Sequence, residues 1–194
     1  EWGIWTDVEP GTNPGFLFQQ NTIRDAVVAG VNLNLFYKYA DRVKMANIAQ
    51  MVNVLQSMVL TEGDQMLLTP TYHVFNMYQV HQDSERLELQ WESPEYVLGA
   101  QSIPKISAAA SRDAQGQVHI TVCNLSHNEA ESFSCHVEGG SYTAQGTVLT
   151  GDALDAHNTF EQPERVAPQS FQVNLSAEGV LSFELPPASV ARIT

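Results

Sequence analysis

The sequence predicts a mixed architecture: an α/β stretch followed by an all-β region of the antiparallel, jelly-roll sandwich kind. Three observations carry this reading. Up to residue 84 apolar residues recur at helical spacing around a short apolar run, whereas beyond it they alternate with period two in segments about ten to twenty residues apart. All five methionines (Met45, Met51, Met58, Met66, Met77) precede that break. Charge shifts there too: four basic and eight acidic residues up to Ser84 give −4, and the remaining five basic and fourteen acidic give −9, together the −13 of the whole chain.

The elements follow in order. Glu1-Trp2-Gly3-Ile4-Trp5 reads as the end of a strand. Asn21 and Thr22 offer an N-cap, Asp25 can serve the open amides of a first turn, and Ile23, Val27, Val31 and Leu35 follow at helical spacing, which predicts a helix over residues 20–40. The mostly apolar run Val43–Gln50 has the look of a strand enclosed in a parallel sheet. Thr69-Pro70 starts a second helix, over 70–82, because proline at the first helical position gives up an N–H that has no partner there; Val74, Met77, Tyr78 and His81 form its buried stripe. Strand end, helix, strand, helix is the order of two β/α units, which cannot close a sheet alone, so the chain reads as a piece of something longer.

Beyond the break, Leu87-Leu89-Trp91, Val118-Ile120-Val122, Phe133-Cys135-Val137, Phe171-Val173-Leu175, Leu181-Phe183-Leu185 and Val190-Arg192 mark strands, punctuated by Gly116, Gly139-Gly140, Gly151, Gly179 and Pro186-Pro187. Asp152–Pro168 has no clean period and reads as a long loop with a helical turn at Ala153–Ala156.

The charge of −13 repels phosphate backbones and anionic lipids, which argues against nucleic-acid and membrane-surface partners. No apolar run approaches the ~18 residues that a membrane span needs. Cys123 and Cys135 are too few for a disulfide scaffold and read as free thiols. His119, Cys123 and His127 lie four apart in a β pattern, where roughly 13 Å separates neighbours of the series, so no metal site is expected.

The richest chemistry sits at Glu1–Trp5. A carboxylate flanked by indoles suits a sugar site, since indole faces stack on sugar rings while the carboxylate addresses the anomeric carbon; the plainer reading makes Trp2 and Trp5 core aromatics. Three stretches then decide between them. Glu1–Trp5, Asp41–Val54 and Leu67-Leu68-Thr69-Pro70-Thr71-Tyr72-His73-Val74-Phe75, in this order and spacing, resemble the C-terminal half of the α-L-arabinofuranosidases of glycoside hydrolase family 51. The resemblance covers nearly the whole chain and is strongest up to about residue 82.

It implies the C-terminal β/α units of a (β/α)8 barrel, over 1–84, followed by an antiparallel jelly-roll β-sandwich, over 85–194. It further implies a retaining enzyme that removes terminal α-L-arabinofuranosyl units from arabinoxylan, arabinan and arabino-oligosaccharides. Glu1 matches the nucleophile, Gln50 a glutamine that hydrogen-bonds the sugar, and Trp5 an aromatic that walls its pocket. No cofactor is implied. A retaining mechanism needs two carboxyl groups about 5 to 5.5 Å apart, and the family's acid/base Glu falls on a strand outside this sequence. Asp7 and Glu9 sit in the Pro- and Gly-rich loop 10–15 or at its edge, where solvated acids are the default. The implied partners are therefore the N-terminal part of the barrel and, as is common in the family, further copies in a homo-oligomer, with the cytoplasm as the favoured compartment.

Two other readings stand beside this one. A carbohydrate-binding module would stack Trp91, Tyr96 and Tyr142 on one exposed sheet face, although Trp91 alternates with Leu87 and Leu89 as a core residue does. A retaining xylosidase or glucanase would keep the barrel and change the sugar. In either barrel case the apolar faces of the helices over 20–40 and 70–82 are expected against barrel strands, so the isolated chain should associate or aggregate.

Overall fold

The computed structural model describes residues 1–138 and 142–194; the expected Gly139-Gly140 turn lies outside them. Its centre is a six-stranded antiparallel sheet, in the order β10-β9-β13-β7-β6-β3, built from β3 (Glu85–Leu87), β6 (Ile106–Arg112), β7 (Val118–Asn124), β9 (Gly146–Leu149), β10 (Gln169–Phe171) and β13 (Ser189–Ile193). A three-stranded sheet of β11 (Asn174–Leu175), β12 (Val180–Leu185) and β8 (Glu131–His136) packs on one face. Between them Val122, Leu185, Leu181, Ile120, Phe133 and Phe183 form one core. This is the expected sandwich.

The other face of the six-stranded sheet is also buried, under two helices. Helix α1 (Ile23–Lys38) and helix α2 (Pro70–Tyr78) lay Ile23, Ala26, Ala29, Val74 and Met77 on Cys123, Leu149 and Val190. The helices thus use the sandwich, where barrel strands were expected to cover them. The strands carry the mark of a doubly covered sheet: β7 is buried from His119 to Asn124 without alternation. Facing α1, the sheet offers small and polar side chains, and Gly30 lets the helix settle close. A Cβ at Gly30 would lie 2.6 Å from the Cys123 Sγ and 3.2 Å from the Tyr78 hydroxyl.

Helix α1 begins where expected, with the Asp25 carboxylate accepting from the Thr22 amide at 2.7 Å and the Thr22 hydroxyl at 2.9 Å. Its next open amides are taken by the long loop, Ile23 N by Ala156 O at 3.0 Å and Arg24 N by Leu154 O at 3.1 Å. Its buried face runs through Ile23, Ala26, Val27, Gly30 and Asn34, so Leu35, at the end of the expected stripe, turns to solvent. Helix α2 keeps its whole expected stripe buried and ends in a 3-10 turn, Gln79–His81. The loop over 152–168 is held by Asn158, whose amide donates to Leu68 O and Val166 O and accepts from Val166 N.

The described residues form no barrel. Residues 43–50, expected as an enclosed strand, are irregular apart from a bridge at Ile48, and Met45 is 79% exposed. The physical reason is the lack of neighbours: an enclosed strand is laddered on both edges, and here, among the described residues, the segment meets one partner through a single bridge, Trp2↔Ile48. Two hairpins were not expected from the pattern: β1 (Val59–Glu62) with β2 (Gln65–Leu68), and β4 (Glu95–Leu98) with β5 (Gln101–Pro104).

Candidate active site

The segment 1–6 is held by three devices. At its start the Trp2 amide donates to Asn47 O at 2.9 Å, and Trp2 O accepts from Ala49 N at 2.7 Å, the two bonds of a parallel bridge. Second, the Trp2 indole is clamped by both helices, edge-on to Phe36 at 5.4 Å and stacked on Phe75 at 6.1 Å between ring centroids. Third, side-chain amides replace a further strand: Gln56 Oε1 accepts from Ile4 N at 2.8 Å, and Gln19 accepts from Thr6 N at 2.9 Å while donating to Ile4 O at 3.1 Å.

The two tryptophans therefore part company. Trp2 packs against the core under the helices, as the plainer reading had it, while Trp5 is 68% exposed. Glu1 and Gln50 are exposed as well. The bridge makes their two segments neighbours, with Gln50 as far past Ile48 as Ile4 is past Trp2. Gln50 sits at φ +63°, a left-handed turn position that redirects the chain at the end of its segment. Asp7 is exposed and Glu9 half-buried in a turn closed by Thr12 N donating to Glu9 O. Glu1, Trp5 and Gln50 are thus all exposed on these neighbouring segments, and a carboxylate, an indole and a carboxamide are groups that can contact a sugar ring.

Gln19 and Gln56 went unnoticed in the sequence because nothing local marks them. Both are buried, and each meaning lies in a contact made far along the chain. In the 3-10 turn that follows α2, His81 bonds across to the six-stranded sheet. His81 Nδ1 lies 2.7 Å from Ser111 Oγ and Nε2 2.9 Å from Thr121 Oγ1, while Thr121 donates to Asn34 Oδ1 at 2.9 Å. Burial, and next the nearby His119, push the His81 pKa down to about 4. Burial also lowers that of His73. On the sandwich, Trp91 packs against the inter-sheet core, Tyr96 bonds to His127 at 3.1 Å, and Tyr142 donates to Glu138 O at 3.0 Å.

Comparison with known proteins gives a consistent picture. The family described as "Alpha-L-arabinofuranosidase C-terminal domain" matches residues 1–189. The chain is 44% identical over 195 residues to an intracellular exo-alpha-L-arabinofuranosidase of Bacteroides ovatus, covering 100% of this chain and 38% of that protein. A crystal structure of the GH51 arabinofuranosidase from Xanthomonas axonopodis pv. citri superposes with a TM-score of 0.95 at 44% identity, over 99% of this chain and 39% of that one. The arabinose complex of a Thermotoga maritima alpha-L-arabinofuranosidase superposes at 0.84 and 26% identity, over 99% of this chain and 41% of that one. The chain thus spans about two fifths of the length of these relatives.

Proposed function

Because the chain belongs to the C-terminal domain family of the glycoside hydrolase family 51 α-L-arabinofuranosidases, we propose that it is the C-terminal portion of a retaining enzyme releasing terminal α-L-arabinofuranosyl units from arabinoxylan, arabinan and short oligosaccharides. In this reading residues 85–194 are the sandwich domain, and residues 1–84 carry the edge of the catalytic unit, completed by residues outside this sequence. Glu1 attacks the anomeric carbon, expelling the leaving oxygen as the acid/base Glu of the completing part protonates it; water, deprotonated by that same Glu, then releases the sugar. Gln50 hydrogen-bonds the arabinofuranose and Trp5 walls it. The compartment is that in the name of the Bacteroides ovatus relative, intracellular.

The observation that carries this reading is the Trp2↔Ile48 bridge, which makes the segments of Glu1 and Gln50 neighbours and leaves both side chains, with Trp5, open to a ligand. The exposed Met45, Met51, Met66 and Phe16 supply apolar surface for the completing part and for assembly into oligomers. A binding-module reading finds less support, since Trp91, Tyr96 and Tyr142 each have their own local partner.

The test is turnover of an aryl α-L-arabinofuranoside by the full-length enzyme. Glu1→Gln is expected to lose roughly a thousandfold or more in kcat, about 4 kcal/mol of transition-state stabilisation. Azide should restore turnover of Glu1→Gly, whose missing side chain makes room for it, and yield a glycosyl azide of inverted configuration. Near-wild-type turnover by Glu1→Gln, or inversion by the wild-type enzyme, refutes the assignment.

A further inference from the structure

Beyond Gly3, segment 1–6 leaves the bridge to 47–49, yet Ile4 N, Ile4 O and Thr6 N are each bonded to a side chain. Gln19 is 1% exposed and Gln56 0% exposed. A primary carboxamide presents the same C=O and N–H as a peptide group, so a buried glutamine can stand in for one residue of a neighbouring strand. Gln19 does so as a bracket around Trp5: its Oε1 takes the amide that follows Trp5, Thr6 N, and its Nε2 gives to the carbonyl that precedes it, Ile4 O. Gln56 anchors the same segment from the other side of Ile4. Its Oε1 takes Ile4 N, while its Nε2 donates to Asp25 O at 2.8 Å and Thr71 Oγ1 at 3.2 Å, tying the segment to the first turns of α1 and α2.

Neither amide can turn over without facing donor to donor, so each is locked. Both are rooted in the buried layer: the Gln19 carbonyl accepts from Asn21 Nδ2 at 3.1 Å, and Asn21 also donates to Leu55 O at 3.3 Å. The two backbone bonds of Trp2 hold one end of the segment, which leaves Ile4, Trp5 and Thr6 dependent on the two glutamines.

We propose that Gln19 and Gln56 are positioning residues of the active site: Gln19 brackets Trp5, Gln56 fixes the Ile4 amide that leads into it, and together they hold the indole against the bound sugar. This rests on the assignment of Glu1 as nucleophile and Trp5 as sugar wall made above. A buried amide that served stability alone would change the melting temperature and leave the kinetic constants in their wild-type ratio. A positioning residue changes them selectively.

The experiment uses the full-length enzyme and an aryl α-L-arabinofuranoside. Gln19→Met keeps the volume and removes both bonds; it is expected to raise KM about tenfold with kcat within about threefold of wild type. In a Trp5→Ala background the same substitution should change KM by less than about twofold, because its effect runs through the indole. Gln56→Met, which frees the Ile4 amide, is expected to raise KM about threefold or more with kcat within about threefold of wild type. Wild-type KM in Gln19→Met or in Gln56→Met, or an equal rise in both backgrounds, overturns the respective assignment. Should either Met variant fail to fold, Gln19→Asn or Gln56→Asn, which withdraw the amide by one methylene, are held to the same criteria. Glu1→Gln, measured alongside, separates the two levels. Activity retained there defeats the underlying reading, whereas activity lost there with unaltered glutamine variants defeats positioning alone.

Discussion

Acid should loosen the seam between the helices and the sandwich, and His81 sets where. Thr121 spends its hydroxyl proton on Asn34 Oδ1, so it can only accept from His81 Nε2–H, and Nδ1 then accepts from Ser111. A second proton on the ring would have to sit at Nδ1, facing a hydroxyl that must turn round, in a site 8% exposed and near His119. The groups around the ring, Tyr37, Tyr78, Ser111 and Thr121, include no carboxylate. With the folded pKa at about 4 and the unfolded value near 6.5, the unfolded chain binds more protons between those limits. The stability from the neutral ring is therefore present above pH 6.5 and lost as pH falls toward 4, about 2 kcal/mol by pH 5 and about 3 kcal/mol by pH 4. Urea unfolding from pH 7.5 to 4.5, compared with His81→Phe, measures it. The variant is less stable at pH 7, since two buried hydroxyls lose a partner, but its free energy should decline less steeply with acid, by about 2 kcal/mol over the range to pH 5. Parallel curves for the two proteins would refute the reasoning.

Three further outcomes follow from the same layer. Gly30→Ala should cost about 1 to 3 kcal/mol in urea unfolding, because its Cβ would meet the Cys123 Sγ at 2.6 Å, and Cys123→Ala should recover part of that loss. The Cys123 thiol, pushed up to about 12 by burial, should resist a disulfide reagent at pH 8 until the protein unfolds, when a thiol titration finds it. Asn158→Ala removes three hydrogen bonds, two of them buried, that hold the long loop to Leu68 and close it at Val166, and a fall of about 2 kcal/mol with faster proteolysis within 152–168 is expected.

How far the sequence revealed this molecule depends on where each signal resides. Thr69-Pro70 and the stripe Val74, Met77, Tyr78, His81 were legible because capping and helical period are local, and the alternation in β8 and β12 read correctly for the same reason, whereas β7 was legible as a strand but is buried on both faces. Strand β6 escaped notice: Ala108-Ala109-Ala110 has little β preference, and its burial comes from layers on both faces. The Gly63-Asp64 turn of the β1–β2 hairpin was visible and overlooked. Residues 43–50 misled in the opposite direction, since an apolar run becomes a strand only when neighbours complete its ladder. The same divide holds at the candidate site. Glu1, Trp5 and Gln50 stood out through their motif surroundings, whereas Gln19 and Gln56 matter only through what they touch, 13 to 15 positions away for one and 52 for the other.

The six-stranded sheet, covered on both faces, ties chemistry to scaffold. Trp2 rests on Phe36 and Phe75, these on the helix pair, and that pair on Val190, Leu149 and Cys123 of the sandwich. The β-domain is thus the foundation on which the Glu1 segment stands, through packing continuous from Trp2 to Val190. Grafting the sandwich elsewhere, or exchanging it for another, would mean carrying α1 and α2 along, so helices and sandwich move as a single part.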